Sequence, residues 1–104
     1  MNVTRRDQVA ISIVVPFYNE DANVRPLYDR LCASMAQVGK EYELIFVNDG
    51  SVDRTSELID ELADQDDHVI AITFSRNFGQ TAAMSAGFDH SRGDVIVPMD
   101  GDLQ

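Results

Sequence analysis

At 104 residues the chain amounts to one small domain at most, and 44% hydrophobic with 25% charged residues is an ordinary globular mixture that excludes a disordered or collagen-like polypeptide. Eight Lys plus Arg against eighteen Asp plus Glu leave a net charge of −10, a field that repels phosphodiester backbones, so nucleic acid is not an expected partner. The single cysteine, Cys32, excludes an internal disulfide, and no apolar run nears the roughly 20 residues that a membrane-spanning helix needs.

Residues 1–9 are expected to form a flexible N-terminus. No hydrophobic stretch of secretory length follows Arg5 and Arg6, so they do not read as a signal peptide and imply a cytoplasmic location. Ala10 to Val15, reading A-I-S-I-V-V, is a nearly continuous apolar run closed by Pro16, as expected of a strand covered on both faces. Beyond it, Val24, Leu27, Tyr28, Leu31, Met35 and Val38 recur at helical spacing, with Asn23 as N-cap, Pro26 in the first turn and Gly39 as the stop. Tyr42 to Val47 is a second strand. A second helix runs from Asp53 to Asp64 on Leu58, Ile59, Leu62 and Ala63, capped by Ser51 or Asp53. Val69 to Phe74 is a third strand, and the third helix, Gln80 to His90, carries Ala82, Ala83, Ala86 and Gly87, small enough for close approach to a sheet. Val95 to Met99 is a fourth strand. This alternation predicts a single α/β unit over residues 10–104, with parallel strands and right-handed crossovers. The sequence stops soon after the fourth strand with no helix to cover it, which reads as the N-terminal part of a larger domain. That strand is then open to pairing with another copy.

In open parallel sheets ligands bind beyond the carboxyl ends of the strands, so the segments following the strands hold the chemistry. They are Pro16-Phe17-Tyr18-Asn19-Glu20, Asn48-Asp49-Gly50-Ser51, Ser75-Arg76-Asn77-Phe78-Gly79 and Asp100-Gly101-Asp102-Leu103-Gln104, all of them polar. Asp100 and Asp102 flank a glycine that permits a tight turn, so two carboxylates can converge. Hard oxygen donors without Cys or His suit Mg2+ or Mn2+, and Gln104 could add an amide oxygen. An ion held by few protein oxygens keeps positions open for phosphate, which explains how an acidic protein could bind an anion. Against this, eighteen acidic residues produce Asp-x-Asp by chance, as at Asp64 and Asp66, which read as a solvated face. Asp49 is either the acceptor of an Asx turn or a carboxylate for a nucleobase imide or a ribose. Tyr18 either stacks on a base or packs at the rim, and Glu20 either binds ligand or favours the positive end of a helix. Arg76 either neutralises a diphosphate or forms an ion pair. His68 and His90 lack a partner at catalytic spacing, and Cys32, beside an apolar stripe, reads as a small core residue.

Taken in order, V-V-P-F-Y-N-E (Val14 to Glu20), V-N-D-G-S (Val47 to Ser51), S-R-N-F-G (Ser75 to Gly79) and M-D-G-D-L-Q (Met99 to Gln104) resemble the family 2 glycosyltransferases over residues 10–104. The subgroup resembled is that of the polyprenyl-phosphate hexosyltransferases, related to dolichyl-phosphate mannose synthase and bactoprenol glucosyltransferase. The resemblance implies the three-layer GT-A nucleotide-diphospho-sugar transferase fold, its first four strands in the order 3-2-1-4. It also implies nucleoside contacts at Pro16, Tyr18 and Glu20, a base contact at Asp49, a ribose and metal role for Asp100, and metal ligation by Asp102 and Gln104. Asn48 stands where many members have aspartate, and Gln80 where many have lysine, which leaves Arg76 as the cation of that segment.

The activity implied by the resemblance is that of an inverting enzyme that moves a hexose from a UDP- or GDP-sugar to a polyprenyl phosphate. The acceptor would be held by sequence beyond Gln104, at the cytoplasmic face of a membrane. A lipid phosphate is already ionised and needs no strong base; a saccharide hydroxyl, the alternative acceptor, would need a catalytic aspartate beyond Gln104. A third reading is a non-catalytic nucleotide-binding or receiver-like module. A receiver, however, needs an acidic cluster after the first strand and an aspartate after the third, where this chain has Pro16-Phe17-Tyr18 and Ser75-Arg76.

Overall fold

The computed structural model describes residues 9–100. In chain order it contains β1 (Ile11–Phe17), α1 (Asp21–Val38), β2 (Tyr42–Asn48), α2 (Thr55–Gln65), β3 (Val69–Thr73), α3 (Gln80–His90) and β4 (Val95–Pro98). The strands form one parallel sheet in the order β3-β2-β1-β4, as the resemblance implied. β1 and β2 pair from Ile11 with Tyr42 to Phe17 with Asn48, and both are buried almost throughout.

Right-handed crossovers place α1 and α2 on one face, because both carry the chain in the same direction along the sheet. α3 returns the chain past β2 and β1 to the opposite edge, and the same handedness puts it on the other face. The core divides accordingly. Ile13, Val15, Phe17, Leu44 and Phe46 pack with Val24, Leu27, Leu31 and Met35 of α1 and with Ile59 and Leu62 of α2. Val14, Ile45 and Val47 meet Ala83 of α3. α3 lies so close that a Cβ on Gly87 would overlap Val14 Cγ1, which is the use of its small residues. Cys32 packs at the margin of the larger cluster, as a small core residue should.

Several local expectations change. Pro16 does not end β1 but pairs with Val47 inside it. The Val14 carbonyl accepts from Met99 N–H on the β4 side and the Phe17 carbonyl from Asp49 N–H on the β2 side. Strand residues alternate sides, so Pro16 turns its missing donor toward β4, whose pairing has already stopped at Pro98, and no ladder bond is lost. Asn23 is not the cap of α1. The helix starts at Asp21, and the Asn23 N–H donates to the Glu20 carbonyl while its Nδ2 donates to Glu20 Oε2 at 2.6 Å. Pro26 therefore lies past the first turn, where it cannot return a hydrogen bond to the Ala22 carbonyl. Gly39 does end the helix, in the left-handed conformation (φ 72°).

α2 begins at Thr55 with Arg54 as its cap residue, so neither Ser51 nor Asp53 occupies that position, although Asp53 Oδ1 accepts from Thr55 N–H at 2.9 Å. Asp66 is not on a solvated face. Its carboxylate accepts from the Tyr28 hydroxyl at 2.6 Å and from His68 N–H at 2.9 Å, and it lies 2.7 Å from His68 Nδ1, while the His68 ring stacks on Tyr42. Burial alone would raise the Asp66 carboxyl, but hydrogen bonds from Tyr28 and His68 hold it below the ordinary aspartate range.

Candidate functional site

A cleft of about 380 Å³ opens where β1, β2 and β4 end, at the point where strand order reverses. Its lining comes from every segment that the sequence singled out: Phe17 at the end of β1 with Tyr18 and Glu20 after it, Asp49 after β2, Asn77 and Gly79 before α3, and Asp100 after β4. Pro16 and Gln80 complete it. Of the predicted nucleotide contacts, Pro16, Tyr18, Glu20, Asp49 and Asp100 are thus brought together. Arg76 is not among the lining residues; its guanidinium lies over the Phe78 ring, 4.6 Å from the centroid, as a cation–π pair. Asp102 and Gln104, predicted to bind metal, lie outside the described residues.

Asp49 is only 3% exposed, and its carboxylate is already engaged. Oδ1 accepts from Phe78 N–H at 2.8 Å, while Oδ2 accepts from Gly79 N–H at 3.0 Å and Asn77 Nδ2 at 2.9 Å. The residue therefore ties the β2 end to the segment entering α3. Gly50 permits that approach: it has φ +71°, and a Cβ there would overlap the Arg76 backbone. Asp49 makes no Asx turn; the local side-chain bond of this loop comes from Asn48, whose Oδ1 accepts from Ser51 N–H, three residues on, at 3.0 Å.

Asn77 and Gln80 also belong to the site, beyond the residues that the sequence assigns to it. Asn77 also donates to the Asp49 carbonyl, and Gln80 Nε2 donates to Asp100 Oδ1 at 3.0 Å. Their signal in the sequence was position alone, in the segment after a buried strand. Gly79 and Gln80 also open α3, so the positive end of that helix faces the cleft.

Glu20, Asp49 and Asp100 make the described lining acidic, with no Lys or Arg. An anionic ligand would need a cation beside it. Asp100 offers the hard oxygens that Mg2+ or Mn2+ prefers, so the donor chemistry fits such an ion. One carboxylate does not make a metal centre, and among the described residues no group of three His, Cys, Asp or Glu could hold a metal.

Sheet order, layering and the position of this cleft define a doubly wound α/β fold with its ligand crevice at the strand-order switch. Comparisons with known proteins name the family. The sequence model of Glycosyl transferase family 2 matches residues 12–104, and the chain belongs to that family. An undecaprenyl-phosphate 4-deoxy-4-formamido-L-arabinose transferase of Pectobacterium carotovorum is 45% identical over 95 residues, covering 90% of this chain and 29% of the relative. The protein of the same name from Pseudomonas aeruginosa is 43% identical, covering 90% and 28%. The chain thus spans under a third of the length of these relatives. Among solved structures, S. aureus TarS 1-349 in complex with UDP superposes with a TM-score of 0.76 at 19% identity, covering 90% of this chain and 28% of that one. The mannosyltransferase PcManGT from Pyrobaculum calidifontis, in complex with GDP-Man and Mn2+, gives 0.69 at 19% identity, covering 97% and 30%. At that identity the likeness concerns the fold.

Proposed function

We propose that this chain is the donor-binding part of an inverting, divalent-metal-dependent glycosyltransferase that moves a sugar from a UDP- or GDP-sugar to a polyprenyl phosphate. The observation that carries the reading is the cleft at the strand-order switch, which gathers Tyr18, Glu20, Asp49 and Asp100 from three loops. The family and the names of the relatives support the reaction class and the lipid-phosphate acceptor. The motif resemblance implied a hexose, whereas the relatives' names specify an arabinose derivative, a five-carbon sugar, so the proposal covers a glycosyl group of either size.

In this reading Tyr18 offers its ring to the base, with Pro16 and Glu20 beside it on the nucleoside side, and Asp49 meets the base edge with the acceptor capacity left beside its three internal hydrogen bonds. Asp100 lies toward the ribose and diphosphate, with Asp102 and Gln104 completing the metal ligands. A bound Mg2+ or Mn2+ would offset the charge that builds on the departing diphosphate. The solved mannosyltransferase with Mn2+ supports a divalent ion without deciding between the two. A lipid phosphate attacks as an anion, which removes the need for a base from this part of the enzyme. No helix among the described residues is long and apolar enough to cross a membrane, and we place the acceptor contacts, at the cytoplasmic membrane face, in sequence outside this chain. β4, at the edge of the sheet among the described residues and with Val95, Ile96 and Val97 exposed, is the proposed route of self-association.

Calorimetric titration of UDP and GDP, with and without Mn2+, tests the donor assignment. One nucleotide should bind in a metal-dependent manner, and Asp102→Asn should lose that dependence. Equal binding by wild type and variant, without a metal effect, would remove the metal from the proposal. The chain alone should show no sugar transfer to polyprenyl phosphate, and turnover would overturn its reading as the donor half only.

A further inference from the structure

Tyr18 and Glu20 both line the cleft, and the residue between them looks the other way. Asn19 has φ 53°, the only positive value at a non-glycine residue among those described. Asparagine tolerates this left-handed conformation better than most side chains, and the resulting turn lets both neighbours face the cleft. On the far side, Asn19 Oδ1 accepts from Val52 N–H at 2.9 Å, and Asn19 N–H donates to Ser51 Oγ at 2.9 Å. The bonding continues along the chain. Glu20 N–H donates to Thr55 Oγ1 at 3.0 Å, Asp21 N–H to Asp53 Oδ2 at 3.2 Å, and Arg54 N–H to Asp21 Oδ2 at 3.3 Å. Backbone donors of each loop therefore meet side-chain acceptors of the other, in both directions, and the loops after β1 and β2 form one plate.

We infer that Asn19 and Ser51 are positioning residues for the nucleoside end of the donor, acting through Tyr18 and Glu20 without touching the ligand. The inference rests on the nucleotide-binding reading above. Tyr18 is 47% exposed, so packing does little to hold its ring. What fixes its direction is the backbone on either side, and the Asn19 bonds to Ser51 and Val52 fix that backbone. A base stacking on a ring that is already aligned avoids the ordering cost that a mobile loop would add on binding.

The test uses the full chain, with UDP, GDP and inorganic pyrophosphate as probes in the presence of Mn2+. Asn19→Gly adopts φ 53° freely, so it removes the side-chain bond and its hold on the backbone without straining the turn. It should weaken the nucleotide that binds wild type by up to about tenfold, the scale of the cost of ordering one loosened side chain on binding. Pyrophosphate affinity should stay unchanged. Ser51→Ala should behave alike, and Asn19→Asp, which keeps the Oδ acceptor and tolerates the conformation, should return binding to within about twofold of wild type. Exchange of the Val52 amide hydrogen should accelerate in Asn19→Gly and not in Asn19→Asp. If wild type binds neither nucleotide, the donor reading falls and takes this inference with it. If wild type binds while Asn19→Gly binds equally well, or loses pyrophosphate to the same extent, only the positioning role is overturned.

Discussion

Glu43 offers a test of how the sheet is held at the end away from the cleft. It is a carboxylate in the middle strand pair, 2% exposed, where an unpartnered charge would be costly. Its oxygens accept from Ser12 Oγ at 2.6 Å, Arg92 N–H at 2.8 Å and Arg92 Nη2 at 3.0 Å, while Gly93 N–H donates to the same Ser12 hydroxyl at 2.8 Å. The α3–β4 connection is thereby fastened to β1 and β2. Glu43→Ala leaves those donors without their acceptor. Breaking a buried pair costs about 3–5 kcal/mol, and the lower figure applies because the Arg92 side chain is 35% exposed and can turn to water.

For a domain of this size about 3 kcal/mol lowers the melting temperature by roughly 15 °C, readable by circular dichroism. The pH dependence has a definite sign. Burial pushes the Glu43 carboxyl up, but hydrogen bonds from Ser12 and Arg92 outweigh it and hold the folded value below the ordinary 4.5. Its stabilisation is therefore present above 4.5 and is lost as pH falls through the lower folded value. The gap between wild type and Glu43→Ala should accordingly narrow in acid. A variant that melts within about 5 °C of wild type at pH 7, or a gap that stays constant down to about pH 2, would refute the reasoning.

Two further outcomes rest on packing. Gly87→Ala forces a methyl into Val14 and should cost about 1–3 kcal/mol in denaturant unfolding, while an exposed change such as Ser85→Ala should cost almost nothing. Ile96→Lys places a charge on the open β4 edge and should abolish any dimer seen by sedimentation, without lowering the melting temperature by more than about 3 °C; an unchanged dimer would move the interface elsewhere.

Much of the fold was legible because its signals are local. The apolar runs of β1 and β2 and the spacing of Val24, Leu27, Leu31 and Met35 report burial directly, and Gly39 and Gly87 do what their lack of a side chain suggests. Strand order came through the resemblance, since periodicity carries no information on lateral placement. The misread positions are those decided by distant neighbours. Pro16 stays in its strand because β4 has stopped pairing beside it, and Asp66 is sequestered by Tyr28, far away in sequence. Asn48 makes the local bond of its loop and leaves Asp49 to the α3 entrance, a division invisible while the Asn77 loop has no known position. Cleft residues were found by a rule about topology, strand ends at a switch point, so the rule caught Tyr18 and Asp100 but could not tell Arg76, which turns onto Phe78, from Asn77, which turns inward. Glu43 gave no signal at all, because its partners lie 31 and 49 residues away.

Placement of the donor is tested most directly by backbone amide shifts of isotope-labelled protein, recorded as UDP or GDP is added with Mg2+. The largest changes should fall at Tyr18, Glu20, Asp49, Gly79 and Asp100, with Glu43 and Arg92 at the opposite end undisturbed. Changes centred on that opposite end, or on the exposed face of α3, with the cleft amides unmoved, would contradict the assignment of the cleft as the nucleotide site.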